Sequence, residues 1–220
     1  PAQGGAEAVT KGELIEYYRQ VAPILLRYLK GRPLSLQRYP GGIAEQGFYQ
    51  KEVPDYFPDW IDRARIEVLE TGEIQEQVIC NDAATLVYLA NQNTITFHPW
   101  PVRTANLDNP DEFRIDLDPQ PGRDFRDAVE AALALREVMA EAGLKAYAKT
   151  SGNRGIHVYA RILPTHEFQD VRHGVIGIAR ELERRLPDLV TTSWWKEERG
   201  ERIFVDFNQA NRDRTIAAAY

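Results

Sequence analysis

The chain has 220 residues, with 27 Lys+Arg against 33 Asp+Glu and a formal net charge of −6. Hydrophobic residues at 43% and charged residues at 27% are ordinary globular values, which excludes a disordered or fibrous chain, and no apolar run reaches the roughly 18 residues that a membrane helix needs. The single cysteine, Cys80, excludes an intramolecular disulfide and leaves too little sulfur for a structural zinc site, and the acidic balance argues against non-specific coating of nucleic acid while leaving room for a local basic groove. Residues 1–9 carry little signal. Thr10-Lys11-Gly12-Glu13 forms a capping box, and Leu14, Tyr17, Tyr18, Val21, Leu25, Tyr28 and Leu29 follow at helical spacing until Gly31-Arg32-Pro33 stops the helix. Pro23 is expected to kink it. Strand-like segments follow at 34–39, 47–52, 64–69 and 74–80, divided by Gly-Gly, Pro and Thr-Gly turns. Asp82 is placed to cap a helix over 83–92, and 94–98 reads as a strand.

The second half predicts a strand at 112–118, an Ala/Leu-rich helix over about 124–142, strands at 145–150 and 155–162, a helix over about 167–186 and a strand at 201–207. Strands and helices mix without βαβ regularity, so an α/β (α+β) arrangement of mixed or antiparallel sheets flanked by helices is expected, in preference to a plain Rossmann sheet. No repeat, low-complexity tract or linker interrupts it, and one domain over residues 1–220 is expected. The start at Pro1 without Met and the stop at Tyr220 in a β-like stretch suggest trimming at one or both ends.

The densest chemical signal is Arg114-Ile115-Asp116-Leu117-Asp118-Pro119. Side chains at i and i+2 of a strand share a face, so Asp116 and Asp118 point one way while Phe113, Ile115 and Leu117 point into apolar packing. Adjacent carboxylates repel, and a hard divalent cation between them makes the arrangement favourable. A solvated strand face is the plain alternative, and the same D-x-D pattern serves metal-dependent glycosyltransferases. Asp206 lies mid-strand between apolar neighbours and needs a partner for its charge. That partner is either a structural cation or, with Asp116 and Asp118, a three-carboxylate cluster able to hold two Mg²⁺ or Mn²⁺ ions.

Lys149-Thr150-Ser151-Gly152-Asn153-Arg154-Gly155-Ile156-His157 sets two glycines, a hydroxyl and a guanidinium in a turn between two strands. Backbone N–H groups of such a turn can face an anion, and Arg154 can pair with a phosphate in bidentate fashion. An ordinary hairpin with a surface Arg is the alternative, and neither the P-loop nor the dinucleotide fingerprint is matched. Phe48-Tyr49-Gln50-Lys51 interleaves aromatics with a cation, as base stacking with phosphate contact requires, although one aromatic of the pair is expected to face the core. His98 is either a hydrogen-bonded structural residue or a substrate contact. Trp194-Trp195 reads as packing, Lys11 as an ordinary helix-start lysine, and Arg199 as an exposed loop residue within reach of a triphosphate.

Taken in order, IDLDP at 115–119, KTSGNRGIH at 149–157 and VDFNQ at 205–209 resemble the three motifs of the archaeo-eukaryotic primase superfamily. Within it, the chain most resembles the polymerase module of bacterial ATP-dependent ligase D and its stand-alone primase-polymerase relatives. The resemblance extends through TKGELIEYY at 10–18, GRPLSLQRYPGG at 31–42, GFYQK at 47–51 and RTIAAAY at 214–220. It implies the primase-polymerase fold and template-dependent addition of NTPs or dNTPs to primer 3′-ends, in short gaps or at breaks during DNA repair, with Mn²⁺ or Mg²⁺. Position by position it implies Asp116, Asp118 and Asp206 as metal carboxylates. Ser151, Arg154 and His157 match the triphosphate-binding motif, with Arg154 where ligase D modules commonly carry Lys, a fork in place of a point charge. His98, Arg199 and Gln209 match further nucleotide positions. Lys11 matches a grip on the 5′-phosphate across a gap, and Phe48 and Tyr49, beside Lys51, match DNA positions that stack on template bases.

The implied partners are gapped or broken DNA with a 5′-phosphate, an NTP or dNTP, and a separate ligase or end-binding protein. The bacterial cytoplasm is the expected compartment, with no membrane association. The family's Ser-x-Arg segment would fall after Tyr220, and 70–77 (ETGEIQEQ) is short and acidic where ligase D modules bridge two DNA ends, which favours a stand-alone gap-filling member. No K-x-D-G motif of a ligase occurs in the 220 residues. Two rival readings are a non-catalytic DNA-break binding module and a D-x-D sugar-nucleotide transferase.

Overall fold

A computed structural model of the chain describes residues 8–68 and 71–220. Its elements run α1 (Lys11–Leu29), β1 (Pro33–Arg38), β2 (Phe48–Gln50), β3 (Arg63–Glu67), β4 (Ile74–Ile79), α2 (Ala83–Asn91), β5 (Thr94–Pro99), β6 (Glu112–Pro119), α3 (Phe125–Glu141), β7 (Tyr147–Thr150), β8 (Ile156–Arg161), α4 (Phe168–Arg185), β9 (Val190–Thr191), α5 (Lys196–Arg199) and β10 (Ile203–Asp206), with a 3₁₀ turn at Phe207–Ala210. They gather into two compact units, one formed by residues up to Ala105 together with Thr215–Tyr220, the other by Asn106–Arg214.

In the first unit, α1 begins at the capping box. Thr10 Oγ1 accepts from the Glu13 N–H at 3.2 Å, and a Glu13 carboxylate oxygen accepts from the Thr10 N–H at 2.7 Å. The helix runs through Pro23 to Leu29 as one element, the proline lacking the N–H that would otherwise donate to the Arg19 carbonyl. Strand β1 is the centre of a five-stranded sheet. It pairs with β5 along one edge (Leu34↔Pro99 through Arg38↔Thr94), and on its other edge with β4 near Leu34 and with β2 from Leu36 to Arg38; β3 lies outside β4. Leu34, Leu36, Val78 and Phe97 form a core with Tyr18, Leu25 and Leu29 of α1 and Leu86 and Leu89 of α2. The Tyr18 hydroxyl donates to the Ile95 carbonyl at 2.5 Å and so ties α1 to β5.

The second unit is a sheet in the order β7-β8-β6-β10-β9, antiparallel throughout except for β9, which runs parallel to β10. Ile115, Leu117, Ile156, Val158, Ile203 and Val205 alternate onto one face, where Ala131 and Leu135 of α3 and Val175 and Ala179 of α4 cover them. Asp124 caps α3 by accepting from the Arg126 and Asp127 N–H groups at 2.7 and 3.2 Å. The opposite face carries the polar residues of the same strands.

The mixed α/β class read from the sequence is the class observed. Three short elements went unforeseen: the two-residue β9, the single turn α5 and the 3₁₀ turn after Asp206. The β-like end is not a strand. Residues 215–220 carry no regular structure and join the first unit through the Ala218 N–H, which donates to the Phe97 carbonyl at 2.8 Å. Leu69 and Glu70, the end of one expected strand and the start of the acidic stretch, lie outside the described residues. Among the described residues no helix is long and apolar enough to cross a membrane.

Cys80 is fully buried, and burial pushes its thiol up to about 12. At about pH 8, Ellman's reagent is therefore expected to leave the native protein unlabelled and to react once denaturant is added. Labelling of the native protein at the rate of a free thiol would contradict this burial.

Candidate active site

Strand β6 lies between β8 and β10, and its register decides which side chains meet. Asp116 is opposite His157 on one side and Asp206 on the other, and His157 is opposite Lys149 of β7. Lys149, His157, Asp116 and Asp206 therefore form a row across four strands on the face that α3 and α4 leave uncovered. Directly opposed side chains in such a row start about 4.5–5.5 Å apart at Cβ. Asp118 is one pleat further along the same face, opposite Phe204.

The electrostatics follow from this register. Burial, then the carboxylates of Asp206 and Asp118, push the Asp116 carboxyl up to about 7, opposed by the Lys149 ammonium. Burial also draws Lys149 down to about 8, with Asp116 acting in the other direction. His157 Nε2 lies 3.6 Å from Asp116 Oδ1. Asp206 is oriented by the 3₁₀ turn that follows it: the Asn208 N–H donates to Oδ1 at 2.9 Å and Gln209 Nε2 donates to Oδ2 at 2.8 Å. Gln209, expected at a nucleotide, here positions a carboxylate.

Carboxylate oxygens on one strand face are the donor set that Mg²⁺ or Mn²⁺ takes, and the charge that raises Asp116 is the charge such an ion would offset. The chemistry of the donors fits. Among the described residues, however, no three His, Cys, Asp or Glu side chains converge as a finished ligand set. Asp118 is exposed, and both Asp206 oxygens are engaged by Asn208 and Gln209.

The 151–155 turn abuts β6. Ser151 Oγ accepts from the N–H groups of Asn153 and Gly155 at 3.2 and 3.1 Å, and the Ser151 N–H donates to the Gly155 carbonyl at 3.0 Å. Gly152 takes a left-handed conformation, φ +91°, and a Cβ on Gly155 would stand 2.4 Å from the Leu117 carbonyl oxygen. Arg154 is exposed at the tip, with no partner among the described residues.

A cavity of about 510 Å³ opens beside Asp118 and Asp206, walled by Trp194, Arg199, Phe204 and Gln209. Arg199 is buried, correcting the expectation of an exposed loop residue. The short helix α5 turns its guanidinium inward, where Nε donates to the Ser193 carbonyl at 3.1 Å, Nη2 donates to the Trp194 carbonyl at 2.8 Å, and the carbon of the group lies 3.5 Å from the Phe204 ring centroid. Neither tryptophan is buried as expected, and Trp194, 50% exposed, keeps only ring contacts along one side. Trp194 lies 6.5 Å from Phe204 and 6.4 Å from Phe207, centroid to centroid, whereas Trp195 is 64% exposed.

The remaining candidates belong to the first unit. His98 is buried on β5, its Nε2 3.0 Å from Thr96 Oγ1 and its ring edge-on to Tyr49 at 5.1 Å. Phe48 and Tyr49 are 46% and 56% exposed, so neither faces the core as expected of one of them. A three-residue edge strand has no covered face at its end, and Phe48 instead lies beneath the Arg38 guanidinium at 5.7 Å. Lys51 is exposed just beyond β2. Lys11 opens α1, where the helix dipole already favours anions, and its ammonium donates to the Asn91 carbonyl at 3.1 Å. Two residues were not assigned roles from sequence. Lys149 was quoted only as part of a turn, and Arg114, on the Asp116 face, is buried against Glu112 at 2.6 Å and over the Tyr159 ring at 5.8 Å. The period-2 alternation through Asp116 was the signal that placed Arg114 there.

Comparison with known proteins shows what the chain as a whole is similar to. A family model described as the LigD primase-polymerase domain matches residues 10–220. The chain is 34% identical over 212 residues to the bifunctional non-homologous end joining protein LigD of Bacillus subtilis, covering 96% of this chain and 34% of that protein. It is 30% identical over 217 residues to the multifunctional non-homologous end joining protein LigD of Mycolicibacterium smegmatis, covering 98% of this chain and 28% of that protein. The chain thus spans about a third or less of these relatives' length. Among solved structures, the polymerase domain from Mycobacterium tuberculosis ligase D in complex with DNA matches with a TM-score of 0.89 at 27% identity, over 96% of this chain and 76% of that one.

The contact between the turn and β6 is directly testable. Gly155→Ala forces the turn and the Leu117 carbonyl apart, at a cost of about 1–3 kcal/mol in urea unfolding, whereas Asn153→Ala at the exposed tip costs about nothing. Equal unfolding midpoints for wild type and Gly155→Ala would show that the close approach is absent.

Proposed function

This chain belongs to the LigD primase-polymerase domain family, and we propose that it is a nucleotidyltransferase that extends a primer 3′-end against a template, in short gaps or at breaks of DNA under repair. The observation that carries the reading is the cross-strand apposition of Asp116 and Asp206, with Asp118 on the same face. Asp116 and Asp118 are the residues that would hold two divalent cations, and Asp206 the one nearer the primer end. Bound there, Mn²⁺ or Mg²⁺ would activate the 3′-hydroxyl and neutralise charge on the leaving pyrophosphate.

The chain's own residues supply orientation. Gln209 and the Asn208 N–H fix the Asp206 carboxylate before anything binds. Ser151 shapes the turn that presents Arg154, whose uncommitted fork suits two phosphate oxygens at once. His157 and Lys149 continue the row beyond Asp116 and place polar and cationic groups on the triphosphate side. In the reaction the primer 3′-oxygen forms a bond to the α-phosphorus as the bond to pyrophosphate breaks, with no covalent enzyme intermediate. On the first unit, exposed Phe48 and Tyr49 offer stacking surface and Lys51 a phosphate contact. Lys11 joins its charge to a helix N-terminus, a combination suited to a 5′-phosphate. The DNA-bound state of the solved relative and the end-joining names of the curated relatives support this assignment. A sugar-nucleotide transferase finds no support in the family match.

Asp116→Asn is expected to abolish templated single-nucleotide addition, by more than about a hundredfold, while leaving the melting temperature at or above that of wild type, because it removes a repelling charge. A chelator should stop wild-type extension without preventing DNA binding. Extension at the wild-type rate by Asp116→Asn sinks the assignment, and metal-independent binding with no extension by wild type leaves a binding module. On a one-nucleotide gap, Lys11→Ala should weaken binding about three- to tenfold when a 5′-phosphate is present and have no effect when it is absent. Equal losses on both substrates would remove the 5′-phosphate role.

A further inference from the structure

Trp194 and Trp195 are adjacent in sequence and have different surroundings. Trp194 stands against Phe204 and Phe207, and its carbonyl holds Arg199. Trp195 gives its carbonyl to the Glu198 N–H at 3.1 Å, which starts α5, but the residue is 64% exposed, against 50% for Trp194, and its ring takes no ring partner among the described residues. Burying an indole is among the largest single gains a protein interior offers, and the fold leaves this one uncollected. The ring lines the cavity whose inner wall is Asp118 and Asp206. Lys196 and Arg214 line the same cavity, facing Glu197 as well as the carboxylates of Asp118 and Asp206. An open aromatic face with cations beside it is the composition that follows a nucleic-acid strand, the ring taking a base and the cations its phosphates.

We propose that Trp195 is a stacking platform for the terminal nucleobase of the primer strand, with Lys196 and Arg214 contacting that strand's phosphates at the mouth of the cavity. This deepens the polymerase reading and rests on it, since the strand is placed by the assignment of Asp206 to the primer 3′-end. Trp194, half exposed, rests one side of its ring against Phe204 and Phe207, and its carbonyl accepts from Arg199, which ties down the backbone from which the neighbouring ring projects. Every base has a π-face, so the platform serves any terminal base.

The test measures affinity for a fluorescently labelled recessed primer–template by anisotropy, with wild type, Trp195→Ala and Trp195→Phe, and separately affinity for a nucleoside triphosphate. Trp195→Ala should weaken primer–template binding about tenfold for each of the four terminal bases, and Trp195→Phe less than about threefold. In extension assays the loss belongs to KM for DNA more than to kcat. Because the ring is exposed, matched melting temperatures will confirm that the variants fold. Wild-type DNA affinity in Trp195→Ala overturns the proposal. So does a loss confined to triphosphate binding, which would assign the base to the incoming nucleotide. If wild type extends no primer while Trp195→Ala still weakens DNA binding, the polymerase reading fails and the stacking site stands; extension with no effect of Trp195 on binding is the converse.

Discussion

Antiparallel pairing of β6 with β10 is the interaction on which the candidate site depends. Asp116 faces Asp206 because Ile203 pairs with Pro119 and Val205 with Leu117, and a slip of β10 by one residue would turn Asp206 toward the helices and away from Asp116. Register is held from behind. Ile115, Leu117, Ile203 and Val205 are fully buried beneath α3 and α4, each contributing about 1.5–3 kcal/mol by leaving water. Against that, burial first, and then the charges of Asp206 and Asp118, push the Asp116 carboxyl up to about 7. Apolar packing on one face thus enforces a repulsion on the other that the carboxylates alone would avoid.

Smaller devices sharpen the arrangement. The Asp206 carboxylate is both the cap of a 3₁₀ turn and the acceptor of the Gln209 amide, so the backbone turn and the side chain hold the same group. Arg199 is spent on two carbonyls and an aromatic ring, which makes it a wall of the cavity more than a free hand for phosphate. Arg154 is the reverse, uncommitted at the tip of a turn whose shape Ser151 and the glycines hold. In the first unit, Phe48 and Tyr49 keep much of their ring area in water, because an edge strand three residues long offers contact surface without burying it.

Much of this was legible in the residues. The alternation through Phe113–Asp118 separated a carboxylate face from an apolar face, and the β6 and β8 strands follow it. The capping residues Thr10 and Asp82 stand at the starts of α1 and α2, while Asp124, counted within the expected helix, is the cap of α3. The two-residue β9 and the single turn α5 were not legible, since neither is long enough to show a repeating pattern of its own. That is why Arg199 was read as exposed and Trp195 as packed: both depend on a single turn of helix that only tertiary contacts create. Alternation misled at Phe48-Tyr49, because a period of two tells which side chains oppose one another and nothing about whether either side is covered. The register Asp116↔Asp206 joins positions 90 residues apart (206 − 116 = 90) and could be suspected from composition but not placed. The family itself was read from the motifs as a resemblance, and the match over residues 10–220 bears it out.

The return of Thr215–Tyr220 to the first unit makes the second an insertion within it. The first unit is therefore discontinuous in sequence, and the hydrogen bond from Ala218 to Phe97 and the ring contact between Tyr220 and Tyr28 close it around the inserted Asn106–Arg214. During synthesis, Asn106–Arg214 emerges whole before those last contacts exist. The strands and helices of the first unit emerge earlier still, yet that unit lacks its irregular closing segment 215–220 until the second has been made. Order of emergence and order of completion are thus opposed, and the carboxylate sheet belongs to the half that needs nothing from the chain's return.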